Sequence, residues 1–573
     1  MRWQPTTRLR VRLTDAAAIE VPAPRPGSYD LGPLTLLIDG DDTHLRWSVS
    51  AREPVAVDAI TFVWDAGAAG DRPRLFSQGY QSWSPTRALR LGIDADPSQD
   101  QRVGSLMRSA FHADPTPTAP GELRSEQVAV VARGGALHEC IGFVGGERHA
   151  GTVRARIDDG NIELGVEAWL GGTRLVPDTT FALHSLRADS GDDATELLET
   201  WASVAGAAAG ARVDAPFVAG WCSWYQYFHD VTERDVRANL SLSDEWPFDV
   251  FQLDDGFQSA IGDWLRPNDR FPGGVEDLAA DIAARGRTPG IWIAPFLAAP
   301  DSEVAVNHPE WLVRAPQHDT FAIGMHNEPW GGAMAMLDTT RPDVLAHLEH
   351  TARSLVTMGY RYLKLDFTFA PAMRGRFADP SQTPAQRVRA GYDAIRRGAG
   401  VDTYILACGA PIGAVVGAVD AMRIGADVAP AWRTQQTGGY AATTPATQHA
   451  FVNTCTRSFM HRRLWVNDPD CVMLRMSDTQ LSEDAARMWA QTVGCSGGLV
   501  LLSDDLARLD RASRTQLEQV IELARVADAD ARTGRTPRAE GLLDPAGPHG
   551  LTSAAGRVRV DVATGAGEFT PVT

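Results

Sequence analysis

FDVFQLDDGFQSAIGDWLRPNDRFPGGVEDLAADIAARGRTPGIWIAPF, residues 248–296, holds the unit whose reading decides the fold. It opens on an apolar run containing Phe251 and Leu253, which ends in Asp254, Asp255 and a glycine. The segment GVEDLAADIAARG follows, with Leu278, Ile282 and Ala283 on one face at helical spacing. A second apolar run, TPGIWIAPF, closes the unit. Strand, helix and strand in succession are the repeat of an α/β fold. The two carboxylates raise a question, because a buried charge without a partner is costly. Asp-Asp-Gly is good turn chemistry and could simply be exposed. The other answer is a polar site at the end of a barrel strand.

Working outward from that unit, eight strand-like segments alternate with helical ones from about residue 216. The strands are FVAGWCSWY, FDVFQLDD, TPGIWIAPF, YRYLKLDF, TYILACG, AMRIGAD, RLWVNDPD and GGLVLLSD. Helical patterns follow each of them, the fifth being a short GAVVGAVD. Thr232 and Ser482 stand at N-cap positions, and only the first, with Asp235 three residues on, approximates a capping box. Eight such units predict a (β/α)8 barrel. A doubly wound sheet is the alternative, but no Gly-rich phosphate loop follows the first strand. Residues 1–212 read differently. Short alternating runs such as LRVRL, LTLLID, HLRWSVS and IELGVEAWL, separated by Gly, Pro and Asp turns, predict a β-sandwich. An Ala-rich helix, DATELLETWASVAGAAAGA, leads out of it. The expected organisation is an N-terminal β-sandwich domain over 1–212 with that linker helix at its end, a central barrel over 213–527, and a short C-terminal β appendage over 528–573 that includes RVRVDVAT.

At 573 residues the chain is too long for one core. A net charge of −18 argues against nucleic acid and anionic membrane surfaces as partners, since both select basic patches. No apolar window of about 18 residues predicts a membrane span, and MRWQPTTRLRVRLTDAAAIE reads as a first strand rather than a signal peptide. Six scattered cysteines without a C-x-x-C pair carry no zinc or redox motif and suit a reducing cytoplasm. Sixteen tryptophans are mostly core, yet an aromatic face is also what a sugar ring packs on.

A barrel places its active site at the C-terminal ends of its strands. Those ends carry Trp224, Asp254, Asp255, Trp292, Lys364, Asp366, Cys408, Arg423, Asp427, Asp468, Asp470 and Asp504. A single Asp there is as readily a helix cap; the collection is harder to explain so. Lys364 and Asp366 share strand parity and should face the barrel axis together. A neighbouring ammonium favours an ionised carboxylate, which is what a nucleophile requires. Arg423, Gly425 and Asp427 also share parity, with the glycine read as room for a ligand; a buried Arg–Asp bridge is the plainer alternative. One ionised and one protonated carboxylate flanking a bond is the equipment of glycoside hydrolysis. Asp254 and Asp255 then read as grips for sugar hydroxyls, with Trp292 as the apolar face. A divalent metal site is a rival reading, but the strand ends carry no His, and His229 reads as a lone loop or cap residue. A non-catalytic sugar-binding protein is another rival, one that would not need Lys364 and Asp366 facing Asp427.

GWCSWYQYF, QLDDGFQ, RFPGGVEDLAADIAARGRTPGIWIAPF, YLKLDF, CGAP with VDAMRIGAD, and WVNDPDC, in unbroken order over about residues 216–505, resemble glycoside hydrolase family 36, the α-galactosidase family. GYQSWSP, residues 79–85, is similar to a segment of the family's N-terminal domain that reaches into the sugar site. The resemblance implies a retaining, two-step mechanism without cofactor or metal, with Asp366 as nucleophile and Asp427 as general acid/base. It implies that Asp254, Asp255, Trp292, Lys364, Cys408 and Arg423 contact the sugar, with Trp83 and Trp224 as weaker matches. Phe257 and Leu365 stand where many members have Trp, and the acid/base segment has the RIG-D form of the compact branch. The partner expected is a small carbohydrate carrying a terminal α-galactosyl residue. Another α-linked sugar, such as an N-acetylgalactosaminide, and a transglycosylase remain alternatives, and self-association is left open.

Overall fold

The computed structural model describes residues 6–40, 44–100, 102–135, 137–437 and 440–572. Eight short parallel strands form the central sheet: β1 (Ala219–Cys222), β2 (Val250–Leu253), β3 (Thr288–Ile293), β4 (Tyr362–Leu365), β5 (Tyr404–Ala407), β6 (Ala421–Arg423), β7 (Val466–Asp468) and β8 (Val500–Leu502). They pair in sequence order from β1 to β7, and β8 pairs β1. The remaining seam is bridged by the Leu499 N–H on the Asn467 carbonyl at 3.0 Å and by Val472 N–H on Leu501 at 2.8 Å. Every residue of β1, β2 and β4 to β8 is buried, because helices cover the outer face and side chains fill the inner one. A polar group on such a strand has two outlets, an internal partner or the open end of the barrel.

Eight helices follow the strands: α1 (Glu233–Leu242), α2 (Gly274–Ala284), α3 (Pro342–Thr357), α4 (Pro384–Ala399), the single-turn α5 (Ile412–Val415), α6 (Thr447–Thr456), α7 (Glu483–Ser496) and α8 (Arg511–Ala531). Thr232 and Asp235 close a reciprocal capping box on α1, while Ser482 caps α7 through its hydroxyl alone. A second box, Thr383 with Gln386, starts α4. One excursion breaks the rhythm. After β3 the chain forms a small antiparallel sheet from Leu297–Ala298, Ile323–Asn327 and Gly332–Met336. Its hairpin tip turns through Gly331 and Gly332 at φ 89° and 109°, a conformation that glycine adopts without strain.

Upstream, two antiparallel sheets face one another. A six-stranded sheet centred on Val55–Ala68 and Asn161–Leu175 packs on a nine-stranded one that contains Leu34–Gly40, His44–Ala51 and His138–Val144. Their alternating inward residues, among them Leu9, Val11, Ile60, Val166, Leu36, Trp47, Ile141 and Phe143, make one closed core. The helix Ala194–Ala209, capped by Asp193 and ended by Gly210 at φ 66°, leads from the sandwich to the barrel. Four short strands between Arg538 and Pro571 form a last antiparallel sheet. Leu551, Val558 and Val560 from that sheet join the barrel core, and Trp432 Nε1 donates to the Val562 carbonyl at 2.9 Å. No helix among the described residues is long and apolar enough to cross a membrane.

Candidate active site

The end of β4 sets one side of the site. Lys364 lies on the strand, Asp366 just past it, and the Asp366 N–H still bonds to the Ile293 carbonyl at 2.9 Å, so strand geometry carries the side chain to the barrel mouth. Lys364 Nζ lies 2.9 Å from Asp254 Oδ2 and 3.9 Å from Asp366 Oδ2. Burial alone would lower the lysine's pKa, but Asp254 and Asp366 outweigh it and hold the ammonium above its ordinary value. Asp366 accepts from Trp292 Nε1 at 3.0 Å and from its neighbour's backbone, the Phe367 N–H, at 2.8 Å. Phe367 takes a left-handed φ of 53°, a strained setting for a bulky residue. Trp83, from the sandwich domain, packs edge-on against Phe367 at 5.0 Å between ring centroids. Gly409, at φ 57°, leaves room for it: a Cβ there would stand 3.0 Å from the Trp83 ring.

The end of β6 sets the other side. Arg423 is 2 % exposed and each of its three nitrogens meets a different carboxylate: Nε to Asp468 at 3.0 Å, Nη2 to Asp470 at 2.9 Å and Nη1 to Asp427 at 3.0 Å. Asp470 also receives the Tyr225 hydroxyl and the Val428 N–H, at φ 90°. Burial, with Asp468 beside it, raises the Asp470 carboxyl above the usual range. Asp427 keeps 32 % of its side chain open. Burial pushes its carboxyl up to about 7; Asp470 and Asp366 push the same way, while Arg423 and Lys364 oppose them. The open third of the side chain moderates the desolvation, yet two neighbouring carboxylates keep the direction upward. Cys408, fully buried, feels Asp366, Arg423, Lys364 and Asp427, and its thiol is held well above its ordinary pKa by burial first of all. The two sides therefore stand within electrostatic reach of each other at the barrel mouth.

Asp254 and Asp255 close the floor beside them. Asp254 Oδ2 takes Lys364 and, at 2.5 Å, Gln252 Nε2, while Oδ1 accepts the Asp255 N–H at 2.9 Å. Asp255 accepts Gln258 Nε2 at 2.6 Å and Trp330 Nε1 at 2.8 Å, with His229 Nδ1 at 3.0 Å. A carboxylate offers roughly four acceptor positions, so Asp255 retains capacity for a hydroxyl, while on Asp254, whose Oδ2 also meets the Cys222 thiol at 3.5 Å, only Oδ1 has room for one. The two carboxylates are thus partnered groups at a strand end and not an exposed turn. Trp224 joins indirectly, its ring packed edge-on against His229 at 4.9 Å.

Two expectations are corrected. His229 is no isolated loop residue: it sits against Asp255. Gly425 does not open space for a ligand, since a Cβ there would meet Ala450 and Asn453 of α6 at 3.2 and 3.4 Å. Trp330 was not singled out from the sequence. It arrives on the hairpin tip in HNEPWGG, where a Trp beside a Gly-Gly turn is the only local sign. Asp504, by contrast, is drawn away to Arg475 at 2.6 Å and to the backbone of Leu474 and Arg475. Among the described residues no group of three or more His, Cys, Asp and Glu side chains is arranged to hold a metal ion; Arg423 stands where three of the carboxylates converge.

A (β/α)8 barrel behind a β-sandwich carries carboxylates, a lysine, an arginine and indoles together at its mouth, the kinds of group that glycoside hydrolysis uses. The comparisons narrow this. A family model described as Melibiase matches residues 218–377. The α-galactosidase AgaA of Geobacillus stearothermophilus is 24 % identical over 152 residues, 25 % of this chain and 20 % of AgaA. The α-galactosidase 1 of Pediococcus pentosaceus is 27 % identical over 101 residues, 16 % of this chain and 14 % of its own length. The matched stretches therefore span a fifth or less of these relatives. Whole folds agree more widely. TtGalA, an α-galactosidase from Thermus thermophilus solved with p-nitrophenyl α-D-galactopyranoside, superposes with a TM-score of 0.71 at 24 % identity over 96 % of this chain and 98 % of its own. The family 36 enzyme AgaA, with 1-deoxygalactonojirimycin, gives a TM-score of 0.60 at 13 % identity over 96 % and 81 %. The chain is thus similar to glycoside hydrolase family 36 α-galactosidases over part of its sequence and throughout its fold.

Proposed function

We propose that the protein is a cytoplasmic, retaining α-galactosidase that removes terminal α-galactosyl residues from short oligosaccharides or glycosides, needing no cofactor. One observation carries the reading: two neighbouring carboxylates at the barrel mouth stand in opposite settings. Asp366 is fixed by two N–H donors beside an ammonium. Asp427 has its carboxyl pushed toward neutral pH. In the first step an Asp366 oxygen attacks the anomeric carbon while Asp427 gives its proton to the departing glycosidic oxygen, leaving a glycosyl ester on Asp366. In the second, Asp427 takes a proton from water, the hydroxide oxygen bonds to the anomeric carbon and the Asp366 carboxylate leaves. Two displacements return the α configuration. Lys364 screens charge between Asp254 and Asp366, Arg423 holds Asp427 toward the bond, and Asp254 and Asp255 accept sugar hydroxyls. Trp292 and Trp83 wall the ring, and Cys408 and Trp224 lie in the surrounding shell. The six cysteines are free, buried thiols, which supports a reducing compartment. In this division of labour the sandwich (1–212) lends Trp83 to the barrel (213–527), and the tail (528–573) braces it.

The test is p-nitrophenol release from a panel of α- and β-aryl glycosides, with proton NMR of the first-formed sugar. Turnover of the α-galactoside with the α-anomer appearing first is the expected result. A β-anomer rejects retention, and turnover confined to an N-acetylgalactosaminide moves the assignment to that sugar.

A further inference from the structure

Arg457, just past the end of α6, is fully buried, and no carboxylate among the described residues lies within ion-pair distance of it. Its guanidinium is ringed by oxygen atoms instead. Nη1 donates to the carbonyls of Ser82 (2.6 Å) and Ile424 (2.8 Å). Nη2 reaches those of Ser84 (3.0 Å), Gln81 (3.2 Å) and Gly79 (3.4 Å). Nε donates to the Thr86 hydroxyl at 2.9 Å. Five of these six acceptors belong to residues 79–86, the sandwich segment that carries Trp83, and the sixth belongs to the residue after Arg423. Asn453 on the same helix adds two bonds, accepting the Thr86 N–H at 3.0 Å and donating to the Ser84 carbonyl at 2.9 Å.

A segment that crosses from one domain into another brings inward-facing carbonyls that have to find donors. A planar guanidinium supplies five N–H groups in a fixed fork, which a lysine, with three donors radiating from one atom, cannot reproduce. The segment has little other freedom. A Cβ on Gly79 would come within 2.9 Å of Arg457 Nη2, and Ile412 N–H donates to the Tyr80 carbonyl at 3.0 Å. The side chain that leaves this bound segment is Trp83, packed on Phe367 and Phe369. Phe367 in turn supplies the backbone N–H held by Asp366.

We infer that Arg457 is a positioning residue for the sugar site: it ties the Trp83 segment of the sandwich to the end of β6, and so fixes the aromatic wall beside Asp366 in relation to Arg423 and Asp427. The inference rests on the α-galactosidase reading of that site. Burial leaves the guanidinium pKa lowered to about 9, so it stays charged at neutral pH.

The experiment is a double-mutant cycle between Arg457→Lys and Trp83→Ala in the full-length enzyme. It reads kcat/KM on p-nitrophenyl α-galactoside, with Tm and circular dichroism on each variant. Displacing a wall by about 1 Å costs about 100-fold in rate, the loss expected for each single variant. The double variant should fall no more than about threefold below Trp83→Ala, since Arg457 acts through the indole. Losses that multiply, or a folded Arg457→Lys enzyme with wild-type kcat/KM, overturn the inference and leave Arg457 a packing residue. Should Arg457→Lys not fold, Thr86→Val removes one of its acceptors at nearly equal volume, and the same cycle is run with that variant. If the wild-type enzyme turns over no aryl glycoside, the glycosidase reading fails on its own. The cycle is then read as D-galactose affinity by calorimetry, where a non-additive loss keeps the positioning role and an additive one removes it.

Discussion

The ends of β4 and β6 bring the same functional group to the barrel mouth and treat it in opposite ways. At β4, a single carboxylate, Asp366, meets an ammonium, an indole N–H and a backbone N–H. At β6, one cation is divided among three carboxylates, and the outermost, Asp427, is left with one guanidinium contact and a raised pKa. The lesson is one of ratio. One lysine stands between two carboxylates, whereas one arginine is divided among three and does not undo the burial that raises Asp427. Each side also keeps one non-glycine residue at positive φ, Phe367 beside Asp366 and Asp470 beside Asp427. Such strain typically costs about 1–3 kcal/mol per residue and survives where the surroundings enforce it.

The contrast breaks most completely at Asp366. Asp366→Ala removes the group proposed to form the ester, and turnover of p-nitrophenyl α-galactoside should fall by about 10⁴-fold or more at saturating substrate. Activity within about 100-fold of wild type would show that another group attacks. Asp427→Ala should act less evenly. An oligosaccharide leaving group needs the proton that Asp427 is proposed to give, and its turnover should drop by about 10²–10⁴-fold. A nitrophenolate needs little help, so the aryl glycoside should lose much less. Equal losses on an α-galactosyl oligosaccharide and on the aryl substrate would take the acid role from Asp427.

Reading the sequence reached these two carboxylates for reasons of unequal quality. On β4 the argument from parity holds, because ladder bonding continues through the Asp366 N–H. On β6 the strand stops at Arg423, so parity had no physical hold on Asp427. The Arg423–Asp427 contact is real, but the turn after the strand produces it, and Gly425 is small for the sake of α6. The eight barrel strands were legible because parallel strands buried on both faces give apolar runs that end in polar groups. Trp330, His229 and Arg457 were not. Trp330 comes on a hairpin outside the barrel rhythm. His229 follows Phe228, whose φ of 47° re-aims the chain. Arg457 has for partners the backbone of residues more than 370 positions earlier, and carbonyls leave no mark in a sequence.

A finer test of the three-to-one ratio replaces one carboxylate that does not face the substrate bond. Asp470 is among the groups that raise Asp427. Asp470→Asn keeps the volume and removes the charge, so the Asp427 pKa should fall. The protonated, acid-competent form then disappears at lower pH, and the alkaline limb of the kcat/KM profile should move downward relative to wild type. An unmoved limb, in an enzyme that folds normally, would mean that burial alone sets the Asp427 proton.

The smallest effect is in stability, and its sign follows from the same shift. The Asp427 carboxyl goes from an ordinary value of 3.8 to about 7 in the folded protein. Between those values the folded chain holds a proton that the unfolded chain has released, so stability declines as pH rises through that window. Asp427→Asn removes the titration from both states. The variant should therefore gain on wild type as pH rises from about 4 to about 7, with the difference in Tm growing by on the order of 1–2 °C, kept small by the size of the chain and the exposed part of the side chain. Carboxyls remote from Arg423 titrate alike in the two proteins and cancel in the difference. A Tm gap that stays flat across that range would place the Asp427 proton outside the folded-state chemistry and reduce the two sides of the site to one kind.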